Sequence, residues 1–152
     1  MNEVSVQEAD FDIGHETETL SRGDAGAGAV ATFVGLVRRD HAGSEVGAMT
    51  LEHYPGMTEQ SLQDIVAQAK TRWSVRGVRV IHRIGRLLPG DRIVFVGVSS
   101  AHRGEAFAAC EYIMDYLKTQ APFWKKEETP EGARWVDARE SDDQAALRWQ
   151  GS

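Results

Sequence analysis

An α+β fold, with a mixed or antiparallel sheet and two long packed helices, is what this 152-residue sequence predicts. Three observations carry that expectation. Two stretches, about Met57 to Trp73 and about Gly104 to Gln120, repeat apolar residues at helical spacing. Arg92 to Ser99 (RIVFVGVS) is a nearly continuous apolar run with β-branched residues, as in a central strand covered on both faces. Strand-like segments flank both helices, an order that places two long helices against a sheet. The length allows a real core without disulfides or metals, so the chain is read as one domain, 1–152, with a tail from 140 that is either a short docked helix or mobile.

Val4 to Gln7 alternates weakly and reads as a first strand. Asp10 to Leu20 reads as a short helix capped by Asp10 or Asp12 and ending near Gly23. Gly26 to Arg38 (GAGAVATFVGLVR) has the glycine, alanine and β-branched content of a strand, with Gly35 marking a bulge or a close backbone approach. His41 to Glu45 is a polar, mobile loop. Val46 to Tyr54 resumes as a strand, with Met49, Leu51 and His53 on one face. Pro55-Gly56 breaks it, and the first long helix follows with Leu62, Ile65, Val66, Ala69 and Trp73 on one stripe. Val78, Val80, His82 and Ile84 form a period-two strand, and Leu87 to Asp91 is a turn set by Pro89-Gly90. The second long helix is expected to bury Phe107, Cys110, Ile113, Met114 and Leu117, and Pro122 stops it. Residues 123–128 and 133–138 then read as two strands joined at Pro130 to Gly132.

Composition excludes several function classes. A net charge of -6 and a pI near 5.3 argue against a broad nucleic-acid or membrane surface. No run reaches the ~18 apolar residues of a membrane helix, and the acidic start MNEVSVQEADFD lacks a signal-peptide core. A single cysteine, Cys110, forbids an intramolecular disulfide and fits a reducing compartment. The expectation is a soluble cytoplasmic protein.

Chemistry concentrates in Ser99 to Glu128, where one predicted helix carries a cationic cluster at each end. His102 and Arg103 stand at its start, where free backbone N–H groups and the dipole favour an anion. Lys118 lies in its last turn, four residues after Met114, beside the apolar stripe, where low-dielectric surroundings can make an amine reactive. In the following strand Lys125 shares a face with Phe123, while Lys126 faces the other way. Each has a plain alternative: solvated lysines at a helix C-terminus, a capping histidine and a surface arginine. Arg38 ends an apolar strand and, with Arg39, could grip a phosphate or simply face water. The five histidines show no ligand spacing, so neither a metal site nor a cofactor is expected. Cys110 sits on the apolar stripe as a core residue. From the residues alone, the expectation is a cationic, aromatic-lined pocket for an anionic, partly planar small molecule.

Six strings share one further property. FVGLVR (33–38), LEHYPGM (51–57), HRIG (82–85), SSAHRGEAF (99–107), YLKTQAPFWKKE (116–127) and RWVDAR (134–139) resemble, in order and over almost the whole chain, the large catalytic subunit of molybdopterin synthase, the MoaE family. The segment 40–47 and the tail do not share the pattern. The resemblance implies an α/β hammerhead-type domain with an additional α+β part. It implies a sulfurtransferase that converts cyclic pyranopterin monophosphate (precursor Z) to molybdopterin in molybdenum cofactor biosynthesis. The sulfur would come from the C-terminal thiocarboxylate of a small ubiquitin-like sulfur-carrier subunit, in a heterotetramer built on a central homodimer. It further implies that Lys118 and Lys125 are catalytic and also bind substrate with Arg38, His102 and Arg103. Phe33 and Met114 would line the channel for the carrier's Gly-Gly tail. Two rivals remain: a non-catalytic scaffold for the ubiquitin-like protein, and an unrelated nucleotide-phosphate enzyme, which the lack of any phosphate loop disfavours.

Overall fold

The structure, a computed structural model, describes residues 3–41, 43–136, 146–147 and 149–150. Two four-stranded sheets and three helices organise these residues. The first sheet is mixed. It comprises β1 (Val4–Gln7), β6 (Val75–Arg83), β8 (Arg92–Ser100) and β2 (Ala29–Leu36) in that spatial order, with β1 parallel to β6 and the other pairs antiparallel. The second sheet is antiparallel, ordered β10 (Gly132–Val136), β9 (Phe123–Thr129), β5 (Ala48–His53) and β7 (Gly85–Leu87). Strand β7 is absent from the sequence reading because three residues carry too little periodicity to register.

Helices α2 (Met57–Arg72) and α3 (Arg103–Gln120) pack together on one face of the mixed sheet. Leu62, Ile65, Val66 and Ala69 of α2 meet Ala106, Ala109, Cys110, Ile113 and Leu117 of α3 over Val80, Val94, Val96 and Val98. Helix α1 (Ile13–Thr19), capped by Asp12, covers the opposite face, where Phe11 and Leu20 bury Ile81 and Phe95. The alternation along β8 therefore sends valines to the helices and Phe95 to α1, which is why its sequence reads as an unbroken apolar run. At Gly97 a Cβ would strike Leu20 and Phe95, so that position accepts no larger side chain without movement.

Several expectations need correction. Phe107 is 64% exposed, not buried. The buried stripe of α3 runs through Ala106, Ala109, Cys110, Ile113 and Leu117, and Phe107 lies about 100° round the helix from Ala106, in line with exposed Glu111 and Lys118. The expected loop at 41–45 contains a small hairpin of β3 (Asp40–His41) and β4 (Ser44–Glu45), because His41 is tied to Glu127 of β9. The bulge expected at Gly35 is present as a register shift between Gly35 and Leu36. Residues 137–138 of the last expected strand, and most of the tail, lie outside the described residues. Within the tail Trp149 packs edge-on against Trp73 and Tyr112, and its indole N–H donates to Asp115 at 2.6 Å. No helix among the described residues is long and apolar enough to cross a membrane.

Candidate active site

The junction between α3 and β9 is set by one proline. Pro122 forbids helical backbone at the residue before it, and Ala121 accordingly turns out to ψ 133°, ending α3 and launching β9 at Phe123. Thr58 holds that junction from α2. Its buried hydroxyl donates to the Pro122 carbonyl at 2.9 Å and accepts from the Tyr54 N–H at 2.9 Å. Lys118, in the last turn of α3, and Lys125, two residues beyond Phe123 on β9, are thereby turned toward one space.

That space is a cavity of about 250 Å³ lined by both sheets and the C-terminal end of α3. Phe33, Gly35, Leu36 and Arg38 come from β2 and its exit, Met114, Leu117 and Lys118 from α3, and Phe123, Lys125 and Glu127 from one face of β9. Lys125 thus shares its face with Phe123, as the alternation of β9 requires. Lys118 and Arg38 are exposed at the wall, so in this chain Lys118 does not have the enclosed, low-dielectric surroundings that the stripe suggested.

His102 and Arg103 are elsewhere. They are exposed at the start of α3, beyond the Ser100 end of β8, and do not line the cavity. Arg38 leaves β2 at its opposite end, where Leu36 pairs with Arg92. The helix of 18 residues and the nine-residue strand each separate the two clusters by about 25–30 Å. Five of the seven sequence-nominated residues are therefore brought together, and two are not.

Three titratable cavity residues escaped the sequence reading. Glu127 is 5% exposed, and its carboxylate accepts from His41 Nδ1 at 2.8 Å and from Arg134 at 3.2 Å, so its charge is met at the wall. Its position two residues past Lys125 was the available signal. His41 reaches it from the β3–β4 hairpin across 86 residues of sequence. His82 is buried beneath the cavity, donating Nδ1–H to the Arg83 carbonyl at 2.8 Å with its ring stacked on Phe123 at 3.8 Å. Burial pushes its pKa down to about 4, and the positive charge of Lys125 adds to the effect, so this imidazole is neutral at pH 7.

Lys118, Lys125 and Arg38 bring two ammonium groups and a guanidinium to the cavity, beside the flat ring of Phe123 and the thioether of Met114. Such a wall suits an anion attached to a planar group, and fixed cations there would stabilise negative charge developing during a reaction. Among the described residues no cluster of His, Cys, Asp or Glu is placed to hold a metal ion. Cys110 takes no part: burial raises its thiol pKa to about 11, and its Sγ faces the Val96 carbonyl.

A two-sheet α/β fold with a cation-lined cavity at the end of its longest described helix is a scaffold suited to small anionic ligands. The chain belongs to the MoaE family, whose model, described as "MoaE protein", matches residues 6–120. It is 62% identical over 147 residues to the molybdopterin synthase catalytic subunit of Vibrio cholerae serotype O1, covering 97% of each chain. Among solved structures it is similar to the molybdopterin biosynthesis MoaE protein from Burkholderia ambifaria, at 52% identity and a TM-score of 0.84 with all of both chains covered. It is also similar to molybdopterin synthase from Staphylococcus aureus, at 30% identity and a TM-score of 0.83 over 90% of this chain and 98% of that one. Family and fold expectations are thus met, and the chain is an enzyme of molybdenum cofactor biosynthesis.

Proposed function

We propose that this chain, acting as a single domain in the cytoplasm, is the catalytic subunit of a molybdopterin synthase. It transfers two sulfurs to cyclic pyranopterin monophosphate, one from each of two thiocarboxylated copies of a small ubiquitin-like carrier, to form the dithiolene. The observation that carries the reading is the convergence of Lys118 and Lys125, from different elements, on one cavity that also holds Phe33, Arg38 and Met114. The carrier's tail would enter past Phe33 and Met114 with its thiocarboxylate among the cations. Arg38 would hold the substrate phosphate. Lys118 would stabilise the negative charge that develops as the carrier's sulfur attacks, or move the proton, and Lys125 would orient the pterin against Phe123.

His102 and Arg103 are too far from Lys118 in one chain to act on the same small molecule. They serve the site if a second copy, in a symmetric dimer, brings the start of its α3 to this cavity. The assembly is then a heterotetramer with the two large subunits at its centre.

A single-turnover experiment tests the function. Protein, thiocarboxylated carrier and cyclic pyranopterin monophosphate are mixed, and mass spectrometry follows loss of carrier sulfur and gain of dithiolene product. Turnover by the wild-type chain and its loss in Lys118→Ala are expected. Binding of the carrier with its sulfur retained would replace this reading with that of a scaffold.

A further inference from the structure

The cavity rests on a contact that the proposed chemistry leaves without a role. His82 belongs to β6 of the mixed sheet and Phe123 to β9 of the antiparallel one, and their rings lie 3.8 Å apart with 18° between planes. The stack therefore joins the two sheets whose separation shapes the cavity. Each partner is fixed by its own bonds. The His82 ring plane is set by Nδ1–H donated to the Arg83 carbonyl at 2.8 Å, which on a neutral ring leaves Nε2 without a proton. Phe123 is set by its own N–H, donated to Ala121 at 2.9 Å, and by the Thr58 bond to the residue before it.

We propose that His82 is a positioning residue of the active site: through its stack on Phe123 it holds β9 so that Lys125, two residues further along the same face, is presented to the cavity that Arg38 and Lys118 share. A ring of this shape and hydrogen-bonding pattern is specific. A leucine would fill the volume but neither stack flat nor hold the Arg83 carbonyl. A tyrosine would add a hydroxyl beneath the cavity. A protonated imidazole would set a third cation against Lys125, and burial at 4% exposure keeps the ring neutral. The geometry thus assigns His82 to the substrate-binding wall without requiring it to touch substrate.

The inference deepens the synthase reading and rests on it for its kinetic consequence, but the placement of Lys125 can be read without substrate. The full-length wild type, His82→Leu, His82→Phe, Phe123→Leu and the double variant His82→Leu/Phe123→Leu would be compared. One measurement is the rate at which Lys125 reacts with trace acetic anhydride, followed by mass spectrometry. The other is kcat and KM in sulfur transfer with the thiocarboxylated carrier. His82→Leu is expected to change the Lys125 acetylation rate about threefold or more and lower kcat about tenfold, with KM for the carrier unchanged. His82→Phe, which keeps a stack, is expected to recover part of both. The double variant is expected to be no worse than the worse single one, because residues acting through one contact are not additive. Folded single variants with wild-type Lys125 reactivity and kcat would overturn the proposal, as would losses that simply add in the double variant. If His82→Leu does not fold, the Phe123→Leu and His82→Phe arms carry the same decision. Absence of turnover in the wild type would sink the synthase reading alone, leaving the acetylation arm to decide the role of His82.

Discussion

The two ends of α3 carry similar residues and differ in what surrounds them. At the start, His102 and Arg103 stand exposed beyond the end of β8 and do not line the cavity of this chain. At the finish, Lys118 meets a strand that Pro122 has launched into the second sheet, and it lies exposed at the wall of a cavity that Lys125, Phe123 and Arg38 also line. The start has the free N–H groups and dipole that an anion favours, yet the cavity lies at the other end. A cationic cluster gains a cavity where a second element crosses its end and brings further side chains to one space.

The largest expected effect is at the cavity end. Lys118→Ala should lower single-turnover sulfur transfer about 10²–10³-fold, as loss of a charge-stabilising group does, while carrier binding measured by calorimetry persists. Lys125→Ala should cost less, roughly 10–10²-fold, expressed mainly in kcat/KM for the pterin if, as proposed, it orients the substrate.

Mixing subunits breaks or sharpens the comparison directly. If His102 acts on the cavity of a second copy, His102→Ala and Lys118→Ala chains are each inactive alone. Dissociated and reassembled together, they should regain roughly one quarter of wild-type activity, since half the symmetric dimers are mixed and each has one intact site. No recovery in reassembled mixed dimers would rule out a site shared between two copies.

A smaller effect concerns stability. His82, held at about 4 against an ordinary 6.5, takes up a proton less readily folded than unfolded. Its contribution is complete above pH 6.5 and is lost as pH falls toward 4, on the order of 3 kcal/mol. Lys125 on β9 and His53 on β5 both act on it electrostatically in the same direction. Urea unfolding of His82→Phe should show a flatter decline across that window. Asp10 belongs to a separate, lower one. Arg92, hydrogen-bonded to its carboxylate, holds it down to about 2, so its contribution fades only as pH falls below about 4. The smallest effect is at the solvated flank of α3. Phe107→Ser should shift stability by no more than about 0.5 kcal/mol, since this ring is exposed in the single chain. A larger loss, or a change in oligomeric state by ultracentrifugation, would mean that this flank is covered in the assembly.

Elements with long regular patterns were legible in the sequence. The two apolar stripes give α2 and α3, the β-branched run gives β8, and Gly35 gives the bulge in β2. Lys118 and Lys125 were legible because a helix end, a proline and an alternating strand follow one another within a few residues. Glu127 was within reach of the same alternation. His41 and His82 were not, since each acquires its meaning from a partner on a distant strand. Phe107 was misjudged because a three-to-four residue repeat tolerates a one-residue error, which on a helix is a rotation of about 100°.

By itself, then, the sequence determined the succession of helices and strands, the residue types available for chemistry, and, through six ordered strings, the family. Only the tertiary structure decided which of those residues share a space. It separated His102 and Arg103 from Lys118, set His82 under Phe123 and met Glu127 with His41 and Arg134. The physical reason is that periodicity reports which face of an element is buried, whereas the meeting of two faces depends on strand register and on how the two sheets pack, and those are properties of the whole chain.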